Sequence, residues 1–275
     1  MRRVVYGGTF NPPHLGHIQA VHSVSNALKP DKILVIPTNL APHKEMSSDT
    51  PPPAERLELC RLAFGEIPGV EVSSLEMRRE GKSYTSDTIL ELKAMYPRDE
   101  LIFVMGTDMI LSLETWHMPE VILEHAVLAV LLRGEPEDDR VSAHIAHLKQ
   151  RYGGEIILIQ APVYPMASSD IRAALKQAAG RAFLSEKVYA RIIKNRDYAA
   201  KAELSWLKDR AVELLAPKRV PHVLGCAEEA VRLTERWGGD AYEAAAAGIL
   251  HDITKKCTLD EQLLLCDKYG IMIDT

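Results

Sequence analysis

The loop after the first predicted strand carries the strongest chemical signal in this chain, the string GGTFNPPHLGH at residues 7–17. Gly7 and Gly8 have no Cβ, so the backbone there can approach a bound ligand closely. His14 and His17 are three residues apart and therefore share one face at the start of the next predicted helix. Unpaired amide groups and the positive end of the helix dipole lie at the same place, and both attract anions. This combination predicts an anion-binding site.

A second string, MASSDIR at residues 166–172, follows the last predicted strand and opens a helix. Ser168 and Ser169 bring hydroxyl groups to that helix N-terminus, and Arg172 can hold oxygen atoms bidentately. We expect this string to form a second anion cradle. We expect the two cradles to face each other across one edge of the sheet.

The spacing of two histidines is weak evidence by itself, and the chain contains its own comparison. His144 and His147 have the same spacing in a predicted surface helix without glycine or proline, so we expect them to be ordinary surface residues. A zinc site on His14 and His17 is disfavoured because no third ligand lies nearby in the sequence, and zinc requires three or four.

Alternating apolar strands and amphipathic helices must position these loops. The predicted strands are 3–6, 32–36, 70–73, 101–105, 127–132 and 155–160. The predicted helices are 15–28, 54–65, 86–96, 119–125, 140–152, 169–179 and 185–194. This order predicts an α/β fold with a mostly parallel sheet that is covered on both faces.

Ligands of such folds bind at the carboxyl ends of the strands. We therefore expect the chemistry in the loops after Tyr6, Ile36, Met105 and Gln160. The long polar loop 37–53 is typical of a functional lid, since long loops are uncommon inside a compact domain.

The pattern changes after about Asn195, where only helices are predicted. They span 203–215, 227–237, 242–250 and 259–269, with Pro217, Pro221 and Gly238-Gly239 as breaks. We expect two domains, 1–196 of α/β type and 203–275 of all-α type, joined by a short linker at 196–202.

Composition excludes several classes of function. The chain has 275 residues, 33 basic and 38 acidic, with a net charge of −5 and a pI of about 6.1. An acidic chain is a poor general ligand for nucleic acid or an anionic membrane. The four cysteines form no CxxC pair, and we find neither a secretory signal nor an apolar run of about 20 residues. We expect a globular cytoplasmic protein; the sequence does not exclude a homo-oligomer.

The two strings resemble the two motifs of the nucleotidyltransferase superfamily, with Ala167 in place of the first serine of the second motif. Further matches, in the right order, are to the bacterial nicotinate-nucleotide adenylyltransferase family and cover residues 1 to about 195. They are PHK at 42–44, SYTSDT at 83–88, GTD at 106–108, Trp116 and LSEKVY at 184–189. The resemblance implies a Rossmann-like nucleotidyltransferase fold. It also implies transfer of AMP from ATP to nicotinate mononucleotide, with Mg²⁺, by in-line attack without a covalent intermediate.

The resemblance also implies roles for individual residues. It assigns ATP binding to Gly7, Gly8, Thr9, Phe10, Gly106, Asp108, Ser168 and Ser169. It assigns catalysis at the triphosphate to His14, His17 and Arg172, and acceptor binding to Lys44, Thr85 and Trp116. Three alternatives stay open: a preference for nicotinamide mononucleotide, another phosphorylated acceptor, and a non-catalytic nucleotide sensor. The alternatives for single residues are that Trp116 is a core aromatic and that Thr85 is part of a capped turn.

The helical tail resembles the beginning of an HD-superfamily phosphohydrolase, in particular the bacterial family that hydrolyses diadenosine tetraphosphate. The matching residues are Arg219, His222, His251 and Asp252. The resemblance implies a divalent metal on His222, His251 and Asp252. No histidine follows Asp252 and only 23 residues remain, so the ligand set is incomplete and we expect no hydrolase activity from this chain alone. The alternatives are a degenerate helical module for oligomerisation or regulation, or a truncated chain.

Overall fold

The computed structural model describes residues 1–42, 46–133, 139–162, 164 and 166–272, with Arg133 described for its backbone only. The chain forms two compact units, Met1–Ala200 and Lys201–Thr275. No helix in the described ranges is both long and apolar enough to span a membrane.

The first unit is built on a six-stranded parallel sheet. Its strands are β1 (Arg2–Gly8), β2 (Lys32–Pro37), β3 (Val70–Val72), β4 (Glu100–Gly106), β5 (Val127–Arg133) and β6 (Ile156–Ala161). All five strand pairings are parallel, and the order across the sheet is β3-β2-β1-β4-β5-β6. The predicted α/β class and parallel sheet are therefore confirmed.

Helices cover both faces of this sheet, because the side chains of each strand alternate between two hydrophobic clusters. Val4 belongs to one cluster and Val5 to the other, and both are fully buried. The helices of the first unit are α1 (Leu15–Leu28), α2 (Pro53–Phe64), α3 (Thr85–Met95), α4 (Thr107–Leu111), α5 (Pro119–His125), α6 (Asp139–Tyr152), α7 (Ser168–Lys176) and α8 (Glu186–Asn195).

The structure confirms the six predicted strands and seven predicted helices, and it adds α4. That helix has five residues, which is too short to produce a hydrophobic period that sequence reading could detect. The segment 196–202, predicted as a short linker, contains the boundary between the two units and is packed on the first of them over its first residues. Tyr198 is 1% exposed within it, on a short 3₁₀ turn (Asp197–Ala199) that packs against α7 and α8.

The second unit is helical, with α9 (Leu204–Leu214), α10 (Val220–Trp237), α11 (Ala241–Leu250) and α12 (Leu259–Tyr269). The predicted start of α10 at residue 227 is wrong, because Pro221 lies in the first turn instead of breaking the helix. Proline is tolerated there since the first-turn amides have no partner within the helix. The longer α10 includes His222. The core of this unit contains Ala211, Leu215, Val223, Ala227 and Ile249.

Candidate active site

The strand order reverses between β1 and β4, which lie side by side at the centre of the sheet. Gly8 and Gly106 end these two strands, each three residues beyond the last paired positions, Val5 and Phe103. The loops that leave the two strands turn in different directions at such a point, and the crevice between them is the usual ligand site of this architecture.

The loop after β1 carries an aromatic side chain, Phe10, that is buried in the core. Phe10 is 1% exposed, has a left-handed φ of 44°, and packs edge-on against His17 with 5.0 Å between ring centroids. A Cβ on Gly8 would lie 3.2 Å from the Phe10 ring, so glycine leaves room for that ring. The Phe10 side chain is thus part of the hydrophobic core that supports this loop. The Asn11–Pro12 peptide bond that follows is cis.

The two histidines form a reciprocal cap at the start of α1. His14 is the N-cap residue, and its Nδ1 accepts a hydrogen bond from the Gly16 amide at 3.1 Å. The His17 Nδ1 accepts from the His14 amide at 3.2 Å, and the two ring centroids are 3.7 Å apart. Because each Nδ1 accepts, the neutral imidazoles are assigned their proton on Nε2. Both rings therefore present Nε2–H as a donor beside the positive end of the helix.

The two sequence motifs touch each other, although they are more than 150 residues apart in the chain. The Ser168 hydroxyl donates to the Pro12 carbonyl at 3.2 Å, and the Arg172 guanidinium donates to the Asn11 carbonyl at 2.7 Å. Ser168 is also the first residue of α7, so the N-termini of α1 and α7 flank the same crevice. This arrangement concentrates two helix N-termini, two imidazoles and one guanidinium, which is a set suited to a polyphosphate.

Arg56 is a residue of the site that sequence reading missed. This arginine of α2 is 1% exposed and donates to three backbone carbonyls: Thr9 at 2.9 Å, Thr38 at 2.7 Å and Asn39 at 2.7 Å. Burial lowers the pKa of its guanidinium. The side chain joins the loop after β1 to the loop after β2. The sequence around Arg56 gives no signal of this role, because its hydrogen-bond partners are backbone carbonyls of two other loops.

Two of the three predicted acceptor residues, Thr85 and Trp116, lie on segments that the structure connects. The Tyr84 and His117 rings contact each other at 4.5 Å between centroids, which joins the start of α3, where Thr85 lies, to the segment after Trp116. The Trp116 ring is half-buried against the core and meets Phe103 edge-on at 6.4 Å. His117 was not predicted. Lys44 lies outside the described residues.

A buried carboxyl group supports this side of the crevice. Glu76 is 5% exposed and accepts a hydrogen bond from the Thr88 hydroxyl at 2.7 Å. Burial raises the pKa of this carboxyl. Nearby, the Ser83 amide donates to the Leu40 carbonyl at 3.0 Å, so the loop after β2 runs beside the segment that leads into α3.

Comparison with known proteins agrees with this geometry. The cytidylyltransferase-like family model matches residues 5–174. A protein of Lachnoclostridium phytofermentans named "probable nicotinate-nucleotide adenylyltransferase" is 32% identical over 200 residues, which is 72% of this chain and 100% of that one. A protein of the same name from Carboxydothermus hydrogenoformans is 32% identical over 70% of this chain and 96% of its own. The chain belongs to the nicotinate-nucleotide adenylyltransferase family.

A solved structure gives the same result for the fold. The nicotinic acid mononucleotide adenylyltransferase of Plasmodium falciparum, complexed with NaAD, superposes with a TM-score of 0.61 at 18% identity. The match covers 73% of this chain and 99% of that one. At this identity, the match shows that the two proteins share a fold and nothing beyond the fold.

The residues predicted to bind ATP in this family member lie on three segments of the chain. Gly7 and Gly8 are the last two residues of β1, and Thr9 opens the loop that follows, which Ser168 contacts at Pro12. Gly106 and Asp108 lie on the neighbouring strand end, where Gly106 is the N-cap of α4 and Asp108 is exposed in its first turn. The Ser169 hydroxyl is exposed and lies 3.5 Å from the Asp170 carboxylate.

In the second unit, the structure brings together the three residues predicted to bind metal. The His222 and His251 Nε2 atoms are 3.4 Å apart. The Asp252 carboxylate is 4% exposed and lies 3.8 Å from the His222 Nε2 and 3.7 Å from the His251 Nε2. Arg219 also contacts this carboxylate, at 3.2 Å.

Proposed function

We propose that this chain transfers AMP from ATP to nicotinate mononucleotide, giving nicotinate adenine dinucleotide and pyrophosphate, as a step of NAD biosynthesis. The observation that carries the proposal is the direct contact between the two motifs, Ser168 to Pro12 and Arg172 to Asn11. That contact gives one crevice two helix N-termini and three side-chain donors. The names of the relatives and the NaAD in the Plasmodium structure support the same reaction.

In the proposed mechanism, a phosphate oxygen of the acceptor attacks the α-phosphorus of ATP in line with the departing pyrophosphate. The new P–O bond forms as the bond to the leaving oxygen breaks, so no protein nucleophile is required. The Nε2–H groups of His14 and His17 would donate to the phosphate oxygens as charge develops on them. Arg172 would hold the departing pyrophosphate. Catalysis then consists of positioning and charge neutralisation.

We propose that the acceptor binds on the side of the crevice formed by Thr85 and Trp116, with Lys44 at its phosphate. Backbone amides at the start of α3 would meet the nicotinate carboxylate, which only accepts hydrogen bonds. The carboxamide of the nicotinamide nucleotide would bring an NH₂ group to the same donors, and this mismatch would disfavour it. The half-buried Trp116 ring is suited to stacking on the pyridine.

ATP would enter as its Mg²⁺ complex, because adenylyl transfer develops charge on oxygens that a hard cation neutralises well. A second solved neighbour, the Plasmodium enzyme complexed with APC, supports nucleotide binding by this fold. We also propose a cytoplasmic location. A homo-oligomer stays a prediction.

For the second unit we propose descent from HD-superfamily phosphohydrolases, with a divalent metal at His222, His251 and Asp252. The close approach of these three side chains supports the proposal. The incomplete ligand set still leads us to expect no hydrolysis of diadenosine tetraphosphate by this chain alone. A module used for oligomerisation or regulation is the alternative.

The test is release of pyrophosphate from MgATP in parallel reactions with nicotinate mononucleotide, nicotinamide mononucleotide and no acceptor. We expect release with the nicotinate nucleotide and a much lower kcat/KM with the nicotinamide nucleotide. Arg172→Ala should abolish most of the activity, whereas the exposed Arg196→Ala should not. ATP binding without pyrophosphate release for any acceptor would contradict the proposal and favour a nucleotide sensor.

A further inference from the structure

A buried glutamate connects the loop after β2 to the start of α3. Glu76 lies on a short 3₁₀ turn (Glu76–Arg78) that follows β3, and it is 5% exposed. The Thr88 hydroxyl of α3 donates to its Oε1 at 2.7 Å. The hydroxyls of Thr38, just after β2, and Ser83, just before α3, face the same carboxyl group. Both segments border the side of the crevice that we assign to the acceptor.

We propose that Glu76 is a positioning residue for the acceptor, which acts through Thr88 to hold the start of α3 where its amides can bind the nicotinate carboxylate. The inference rests on the proposed function, because it names a residue that sets the affinity of that site for its acceptor. Glu76 is buried, so other residues must transmit its effect to the crevice.

Thr88 is the residue that transmits this effect. It is the fourth residue of α3 and is 2% exposed. Its hydroxyl lies 3.3 Å from the Tyr84 carbonyl, and its amide donates to that carbonyl at 3.2 Å. Tyr84 is the N-cap residue, and its side chain forms no capping hydrogen bond in the described structure. The first-turn amides have no partner within the helix, and their position follows that of Thr88.

An arginine joins this contact to the rest of the crevice. The Arg79 Nη1 donates to the Thr88 hydroxyl at 2.9 Å, and its Nε donates to the Glu91 carboxylate at 3.0 Å. The Arg79 carbonyl accepts from the Asn39 side-chain amide at 2.9 Å. The Asn39 carbonyl is in turn one of the three that Arg56 holds. A continuous series of hydrogen bonds therefore connects the start of α3 with the loops after β1 and β2.

The surroundings of Glu76 favour an uncharged carboxyl group. Burial raises its pKa, and the Thr88 hydroxyl is the largest opposing influence. The charge of Arg79 also opposes the shift, but that guanidinium is bonded to the Glu91 carboxylate. Removing an ionised carboxylate from water is costly, so the neutral form is preferred at this depth. Glutamine is neutral and nearly the same shape, and it should therefore replace Glu76 with little loss.

The experiment measures pyrophosphate release by the full chain, with one substrate varied while the other is saturating. Glu76→Ala should raise the KM of nicotinate mononucleotide by roughly 10–10²-fold, because small misplacements of groups that hold a substrate are costly. The KM of MgATP and the kcat at saturation should stay near the wild-type values.

Four further variants make the result specific. Glu76→Gln should keep the wild-type KM, because its carbonyl still accepts from the Thr88 hydroxyl. Thr88→Val removes that hydroxyl and keeps the shape, so it should raise the KM of nicotinate mononucleotide as Glu76→Ala does. Thr88→Ser should restore the wild-type value. Glu80→Ala is the matched control, since Glu80 is an exposed glutamate four residues later, and it should change neither KM.

The two KM values separate a positioning role from a purely structural one. A glutamate that only stabilises the fold would, when removed, lower the folded fraction and with it the apparent kcat. It would leave both KM values unchanged, because KM does not depend on the concentration of active enzyme. If Glu76→Ala does not fold, Thr88→Val decides by the same criterion.

The inference alone is overturned if the wild-type protein turns over and these variants do not show the expected pattern. The contradicting results are an unchanged KM of nicotinate mononucleotide in Glu76→Ala and Thr88→Val, an equal rise of both KM values, and a Glu76→Gln that behaves like Glu76→Ala. No turnover by the wild-type protein with nicotinate mononucleotide would overturn the proposed function together with this inference.

Discussion

Two pairs of histidines in this protein have the same spacing and different surroundings. In the first pair, His14 caps α1, both Nδ1 atoms accept backbone amides, and the ring centroids are 3.7 Å apart. In the second pair, on α6, the ring centroids of His144 and His147 are 6.0 Å apart. The His147 Nε2 there faces the Glu114 carboxylate at 3.3 Å, on the surface.

The difference shows that spacing places two side chains on one face and that the backbone decides their chemistry. At the start of α1, unpaired amides fix the tautomer of each ring and attract anions to it. In the middle of α6 the amides are already bonded within the helix, so they are not available to the rings of His144 and His147. An HxxH string therefore predicts phosphate chemistry only where a glycine-rich loop leads into a helix.

The largest expected effect comes from removing one histidine of the first pair, with the same change in the second pair as its control. His17→Ala should lower kcat for pyrophosphate release by roughly 10²–10³, the usual loss for one donor to developing charge. His147→Ala, with the same spacing to its neighbour, should keep near-normal kcat. Both variants are assayed with MgATP and nicotinate mononucleotide at saturation. Near-normal turnover by His17→Ala, with ATP still bound, would show that the His17 assignment is wrong.

The next effect concerns the arginine that holds the histidine loop in place. Arg56→Met removes the donors to the Thr9, Thr38 and Asn39 carbonyls. Because a buried group left without its partner costs about 1–3 kcal/mol, the midpoint of thermal unfolding should fall.

Activity should report on the position of the loops as well as on stability. Assayed well below its melting temperature, Arg56→Met should lose kcat/KM by up to roughly 10²-fold, because small misplacements of reacting groups are costly. Arg56→Lys should recover part of this loss. Arg61→Ala, an exposed arginine of the same helix, is the control and should change neither property. Full activity in a folded Arg56→Met would contradict a positioning role.

A smaller effect is expected at the glycine between the two histidines. A Cβ on Gly16 would lie 2.7 Å from the Tyr164 ring, and that ring stacks on His14 with 5.5 Å between centroids. Gly16→Ala should therefore cost about 1–3 kcal/mol of stability through overpacking. Gly225→Ala, where a Cβ meets nothing within 4 Å, should be neutral or stabilising in chemical denaturation. Equal effects of the two changes would contradict this packing argument.

The smallest effect depends on pH and lies away from the histidines. Burial, with help from Glu55, raises the pKa of Asp197 from 3.8 to about 6. The folded state therefore favours the neutral carboxyl, and stability is lost as the pH rises through that value. Asp197→Asn should be more stable than wild type by about 1 kcal/mol near pH 8, after allowance for partial exposure, and equal to it near pH 4. Melting temperatures across this range test it; a difference independent of pH would refute the assignment.

The sequence by itself determined the order of the elements and the positions of the two motifs, residues 7–17 and 166–172. The strands of the sheet are continuous apolar runs, and α1 shows its start through His14 and its proline-rich approach, so local pattern was sufficient. It also indicated which loops would meet, because the carboxyl ends of parallel strands lie at one edge of a sheet. Both signals come from residues close together in the chain.

Only the tertiary structure decided what lies between those segments. The contact of Arg172 with Asn11, the three carbonyls held by Arg56 and the approach of His222 to His251 all join residues from different elements. Pro221 was wrongly predicted to break a helix. A proline is accommodated in the first turn of a helix and disrupts its interior, and the sequence pattern did not show that α10 begins at Val220. Periodicity records which face of an element is buried, but it does not record which atom of another element that face will meet.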